Sequence, residues 1–154
     1  MPGRPSLSRA RTLAVALGCS LVVAACSTGA VHVVVPDASG ATRAVCARLV
    51  DHLPTHLQGH RSRVVEPTNP LTHAWGDPAI VLRCGVPLPN GYSRTSVNSA
   101  EVDGVLWFQQ MGKDTVRWTA VRHQANVELT VPTSYAAQGG FLVDIGAAIR
   151  ASLS

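Results

Sequence analysis

Charge is scarce in this chain. Asp, Glu, Lys and Arg together make up 14 % of 154 residues, and aromatic residues only 5 %. With 46 % hydrophobic residues the composition is that of a globular domain, which excludes a disordered acidic or polybasic chain. Long apolar runs are missing too: the apolar run at residues 13–25 is about 13 residues, short of the ~20 a helix needs to cross a bilayer. There is no heptad run, no collagen period and no repeat of 20–50 residues. Nucleotide-binding glycine fingerprints are absent, and Gly139-Gly140 reads only as the entry to a helix. No G-x-S-x-G elbow and no C-x-x-C pair occurs. The net charge of +4 dissolves on inspection, because Arg4, Arg9 and Arg11 supply three of 13 basic residues and leave ten against nine acidic ones. Such a balance gives nucleic acid no electrostatic footprint to bind.

What is present begins at the N-terminus. Three arginines within residues 1–11 precede the uncharged segment 13–25, the layout of a signal peptide. The segment ends in Val23-Ala24-Ala25-Cys26, an aliphatic residue, two small residues and a cysteine. Small residues there let a peptidase approach the backbone. This tetrapeptide resembles the bacterial lipobox, whose cysteine becomes the new N-terminus and carries diacylglycerol and palmitate-type acyl chains. The resemblance implies a signal peptide over residues 1–25, a lipid on Cys26, a short tether over 26–30, and an extracytoplasmic domain over 31–154 on the outer face of the cell membrane. Two acyl chains anchor stably where one binds only marginally. An ordinary secretory signal cut near Ala25 or Ala30 is the alternative, and Cys19 is a poorer lipobox because its apolar run would be about six residues.

Cys19 then leaves with the signal and Cys26 takes lipid, so Cys46 and Cys84 remain as an even pair. In an exported protein that pair reads as a disulfide. Closing a loop of about 40 residues is worth about 4 kcal/mol in the chain-entropy account.

Beyond the tether, residues 31–35 form a β-branched run stopped by Pro36, a strand or extended arm. Val45, Cys46, Leu49, Val50 and Leu53 recur at helical spacing, and Pro54 ends the helix. Residues 54–61 read as loop, 63–66 as a short strand, 67–78 as a long irregular connection, and 79–84 as a strand carrying Cys84. After a loop over 85–94 comes a meander: 97–102 and 105–109 around the hairpin signal Asp103-Gly104, then 115–121 and 127–131. Phe141, Leu142, Ile145, Ile149 and Leu153 predict an amphipathic C-terminal helix. Neighbouring strands joined by short turns predict an α+β fold: a two-layer sandwich with a largely antiparallel sheet of five to six strands and two helices on one face.

Candidate chemistry is thin. His52, His56 and His60 are four apart, but Pro54 and Gly59 break the helix that would align them. Asp51 and His73 are the further members a loop metal site would recruit; the reading preferred is exposed loop histidines and no metal or other cofactor. Asp77, Glu101 and Glu128 are the carboxylates a glycosidase-like pair would draw on, and no catalytic residue is assigned. Trp75-Gly76-Asp77-Pro78 reads as a turn with the indole on the core, and alternatively as a binding surface in which Trp75 and Tyr92 offer stacking area and Asp77 a charge. Trp107 and Trp118, on strands, read as core. The main surface depression is expected among the loops 54–78 and 85–96.

Trp75-Gly76-Asp77-Pro78 followed by Ile80-Val81-Leu82-Arg83-Cys84-Gly85-Val86-Pro87 resembles a family of actinobacterial lipoproteins and secreted proteins catalogued as domain of unknown function 3515. Val102-Asp103-Gly104-Val105 with Trp107, and Val127-Glu128-Leu129-Thr130-Val131-Pro132 with Tyr135, extend the resemblance over roughly residues 31–150. It implies export and paired cysteines and supplies no activity. The expected function is a lipid-anchored, non-catalytic binding or assembly module with an envelope protein or cell-wall partner; the alternative is a small hydrolase or metal-dependent enzyme of the envelope.

Overall fold

The computed structural model describes Met1 and residues 29–153. The signal segment, Cys19 and Cys26 lie outside the described residues.

Helix α1 spans Gly40–Asp51 and is capped by Ser39, whose hydroxyl accepts from the Thr42 amide at 3.3 Å. It stops before Pro54, as the proline requires. Helix α2 spans Gly139–Ser152 and buries Phe141, Leu142, Ile145 and Ile149, the stripe legible in the sequence. The strands are β1 Val31–His32, β2 His56–Leu57, β3 His60–Arg63, β4 Val65–Glu66, β5 Thr72–Trp75, β6 Ile80–Val86, β7 Ser99–Val102, β8 Val105–Met111, β9 Thr115–Ala120 and β10 Asn126–Pro132. The main sheet runs β2-β3-β5-β6-β10-β9-β8-β7, with every neighbouring pair antiparallel. β1 and β4 form a separate parallel pair.

The sheet therefore has eight strands where five to six were expected. The additional ones come from segments read as loop or irregular connection: 54–61 holds β2 and the start of β3, and 67–78 holds β5. β2, β3 and β5 are two to four residues long and rich in His, Arg, Ser and Thr, so no apolar alternation marks them. The turn between β2 and β3 is Gln58-Gly59, with φ of 49° and 83°, the same left-handed pair that Asp103-Gly104 adopts at 48° and 74°. Gln-Gly is outside the usual Asn-Gly and Asp-Gly signals. The strand expected over 63–66 is split, because Arg63 closes β3 while Val65–Glu66 turns away to pair with β1.

Both helices lie on one face. Cys46 of α1 is bonded to Cys84 of β6, with Cα atoms 5.6 Å apart, within the range a disulfide spans. Cys84 is in register with Val127, Val127 with Ala120, and Ala120 with Trp107. Val105, two residues before Trp107, lies against Gly146 of α2. Period-two alternation puts all of these on the same side. Between the layers sits one core, including Leu49, Trp75, Leu82, Trp107, Leu129 and Ile145, all with no exposed surface. Trp118 packs at its edge and donates its indole N–H to Gln138 Oε1 at 2.9 Å.

Candidate functional site: the open face of the sheet

Inward Leu82 and Cys84 force Arg83 outward, and inward Val127 and Leu129 do the same for Glu128. On the face away from the helices one cross-strand row therefore reads Thr72, Arg83, Glu128, Thr119, Phe108 and Ser99. The next row carries Val81, Thr130, Arg117 and Gln110.

Glu128 sits at the centre of this face with only 10 % of its side chain exposed. Arg83 Nε lies 3.0 Å from Oε1, and Arg117 Nε lies 3.3 Å from Oε2. Each carboxylate oxygen thus has its own guanidinium, and the three side chains together carry one net positive charge. Arg83 also reaches the Val34 carbonyl at 3.4 Å, so the segment entering α1 borders the site on one side. The loop 87–98 borders it on the other. Gln110 Nε2 donates to the Asn90 carbonyl at 3.1 Å, and Tyr92 packs edge-on against Phe108 with ring centres 5.5 Å apart. Between the loop and the sheet, Pro87, Leu88, Pro89, Gln110, Arg117 and Glu128 are among the residues lining a depression of ≈ 250 Å³. Beyond the loop, at the ends of β8 and β9, a second depression of ≈ 550 Å³ is lined by Tyr92, Arg94, Leu106, Val121, Arg122 and His123. The loop 85–96 thus forms depressions with the sheet, and 54–78 lines neither of these two.

The expected binding surface of Trp75, Asp77 and Tyr92 does not assemble. Trp75 is fully buried and donates Nε1–H to the Pro54 carbonyl at 2.8 Å, because its strand position places it opposite Ile80 on the helix side. Asp77 is 67 % exposed in the turn before β6, with Arg63 Nη1 at 3.5 Å. Tyr92 lies beyond the other end of β6, half-buried.

The histidines also disperse. His52 lies just past α1, with Nδ1 2.7 Å from the Arg48 carbonyl; His56 is exposed on β2; His60 packs edge-on against Tyr135. Among the described residues no three His, Cys, Asp or Glu side chains form a group able to hold a metal. The carboxylates separate as well: Asp77 faces Arg63, Glu128 faces Arg83 and Arg117, and Glu101 is exposed on edge strand β7. One contact escaped the sequence reading. Ser62 Oγ lies 2.9 Å from His73 Nε2 across β3 and β5, and the His73 ring packs at a tilt against Trp75. Burial lowers the His73 pKa from its ordinary 6.5, so the imidazole is neutral at neutral pH.

The family model described as "Protein of unknown function (DUF3515)" matches residues 7–154. The chain belongs to this family. No curated protein and no solved structure matches it. The match spans both halves of the sheet, the Cys46–Cys84 bridge and the whole of the open face. Among the described residues no helix is long and apolar enough to cross a membrane.

Proposed function

We propose that this family member is a lipid-anchored envelope protein, held at the outer face of the cell membrane through Cys26 and acting as a non-catalytic module that binds an envelope protein or wall component. The arginine-rich start, the uncharged segment 13–25 and Val23-Ala24-Ala25-Cys26 support the anchor. The observation that carries the binding role is the open face itself. One side of the sheet is sealed by helices, while the other keeps charged side chains at its centre under the loop 87–98. A surface of this kind, rimmed by loop on a rigid scaffold, is suited to recognition.

Two measurements test the reading. Metabolic labelling with an alkyne fatty acid should tag the protein and fail to tag Cys26→Ala. A photoreactive residue placed at Gln110 should crosslink a specific partner in intact cells, whereas one at Val143, exposed on α2, should not. An unlabelled protein, or equal capture at both positions, refutes it.

The Ser62–His73 contact favours the second reading, a small envelope hydrolase, since a hydroxyl against a neutral imidazole is the start of a nucleophile–base pair. Among the described residues no carboxylate is hydrogen-bonded to His73. A fluorophosphonate probe that labelled wild type but not Ser62→Ala would establish this reading in place of the first.

A further inference from the structure

The depression at the ends of β8 and β9 has a composition unlike the rest of the open face. It is lined by the basic residues Arg94, Arg122 and His123, by the apolar Leu106 and Val121, and by Tyr92. Among the described residues no carboxylate lines it, and none of the three cationic or basic side chains is in an ion pair. The other open-face guanidiniums differ sharply: Arg83 and Arg117 are held on Glu128, and Arg63 faces Asp77.

The walls are built. The Arg122 amide donates to Asn126 Oδ1 at 3.2 Å, and Asn126 Nδ2 donates to the Val86 carbonyl at 3.1 Å, which fixes the β9–β10 turn on the end of β6. Opposite, the Tyr92 amide bonds the Pro89 carbonyl at 3.2 Å, the Ser93 amide bonds Ser96 Oγ at 2.7 Å, and the Tyr92 ring rests on Phe108. At ≈ 550 Å³ the space is of the size that receives a small molecule or a single chemical group, and too small for a folded partner.

Its position selects the ligand further. The chain enters the described domain beside Arg63, which donates to the Gly29 carbonyl, and Arg63 is in register through Ala74 with Val81 at the start of β6. Residues 121–123 follow β9, whose last residue is in register through Val127 with Cys84 near the end of β6. Gly29, at the start of the described domain, and the depression therefore lie toward opposite ends of the strands.

We infer that the depression framed by Arg94, Arg122, His123 and Tyr92 binds an oxyanion, phosphate or carboxylate, carried on a small apolar or flat body that is not a headgroup of the anchoring membrane. The guanidiniums offer bidentate donors to the oxyanion, and Tyr92, Leu106 and Val121 cover the body. This inference rests on the binding-module reading and gives it a ligand class.

Calorimetric titration of the full-chain protein, isolated in neutral detergent, with phenyl phosphate provides the test. Saturable binding is expected, weakened at least tenfold in Arg94→Ala/Arg122→Ala and unchanged in Arg43→Ala, a cation on α1. Arg94 is exposed, Arg122 is partly exposed and neither is in an ion pair, so the double variant should keep its melting temperature. Absence of saturable binding, or equal binding by the double variant, overturns the inference. Tighter binding of hexaglutamate overturns it in favour of an acidic protein partner, and displacement of phenyl phosphate by phosphatidylglycerol vesicles overturns it in favour of a membrane headgroup. If phenyl phosphate fails while the Gln110 crosslink still captures a specific partner, the binding-module reading survives alone.

Discussion

Glu128 is the residue on which the open face is organised. Its carboxylate lies between Arg83, 28 % exposed, and Arg117, 49 % exposed, so solvent screens one partner more than the other. Removing the carboxylate leaves two guanidiniums side by side with no counter-charge, one of them half-buried. Glu128→Ala is expected to lower stability by about 1–3 kcal/mol, and Glu128→Gln by less because it keeps an acceptor; urea midpoints at constant slope measure both. His73 makes a different kind of contribution. The unfolded chain protonates this imidazole around its ordinary 6.5, whereas burial makes the folded chain do so only at lower pH. In that window the unfolded state binds more protons, so stability is complete above the ordinary value and is lost as pH falls through it. His73→Gln, which can keep a hydrogen bond to Ser62, should show a smaller loss of urea midpoint than wild type between neutral pH and pH about 5. An identical loss in both proteins would assign the acid sensitivity to other groups.

At the scale of elements, the seat of α1 depends on one covalent bond and one close approach. Cys46 lies in α1 and Cys84 near the end of β6, 38 residues later. Beside the bridge, Gly85 adopts φ of +86°, and an added Cβ there would come within 2.9 Å of Ala38 Cβ. The segment leading into α1 therefore passes directly over the glycine. Cys46→Ala/Cys84→Ala should cost about 4 kcal/mol of unfolding free energy through loss of the loop constraint. The expected readout is a lower melting temperature, with a reductant lowering wild type and leaving the variant unmoved. α2 is held differently: its stripe of Phe141, Leu142, Ile145 and Ile149 enters the core, and Arg150 Nη2 reaches Asp103 Oδ2 at 2.6 Å in the β7–β8 hairpin.

At the scale of the whole molecule, the proposed function calls for an attachment to the membrane. The described domain exposes apolar residues such as Val34, Val97 and Met111, and a folded surface ordinarily carries some. Under the proposed reading the acyl chains on Cys26 supply the attachment. Cys26→Ala should accordingly move from the membrane fraction to the soluble fraction, or persist as the longer unprocessed chain, in cell fractionation followed by intact-mass measurement. A variant that stayed membrane-bound after cleavage would show that another surface does the holding.

The two helices and the β6 and β8–β10 strands were legible because their burial repeats with a period the sequence displays: three and four for Val45 to Leu53 and Phe141 to Leu153, two for Val127 to Val131. Cysteine counting likewise paired Cys46 with Cys84, since an even pair in a chain read as exported has few other uses. β2, β3 and β5 were hidden. Each is too short to show a period, and its pairing is supplied by the neighbouring strand rather than by its own residues. The open-face site was hidden for a related reason. Arg83, Arg117 and Glu128 meet because three strands distant in sequence lie side by side in register. Arg94 and Arg122 come to one depression because the loop 87–98 folds back over the sheet. Trp75 illustrates the limit most directly. Its sequence neighbours allow either a turn that buries the indole or a loop that displays it; register opposite Ile80, set by strand pairing, buries it. Periodicity and residue chemistry fix elements, whereas which side chains share a face is decided by long-range pairing that leaves no local trace.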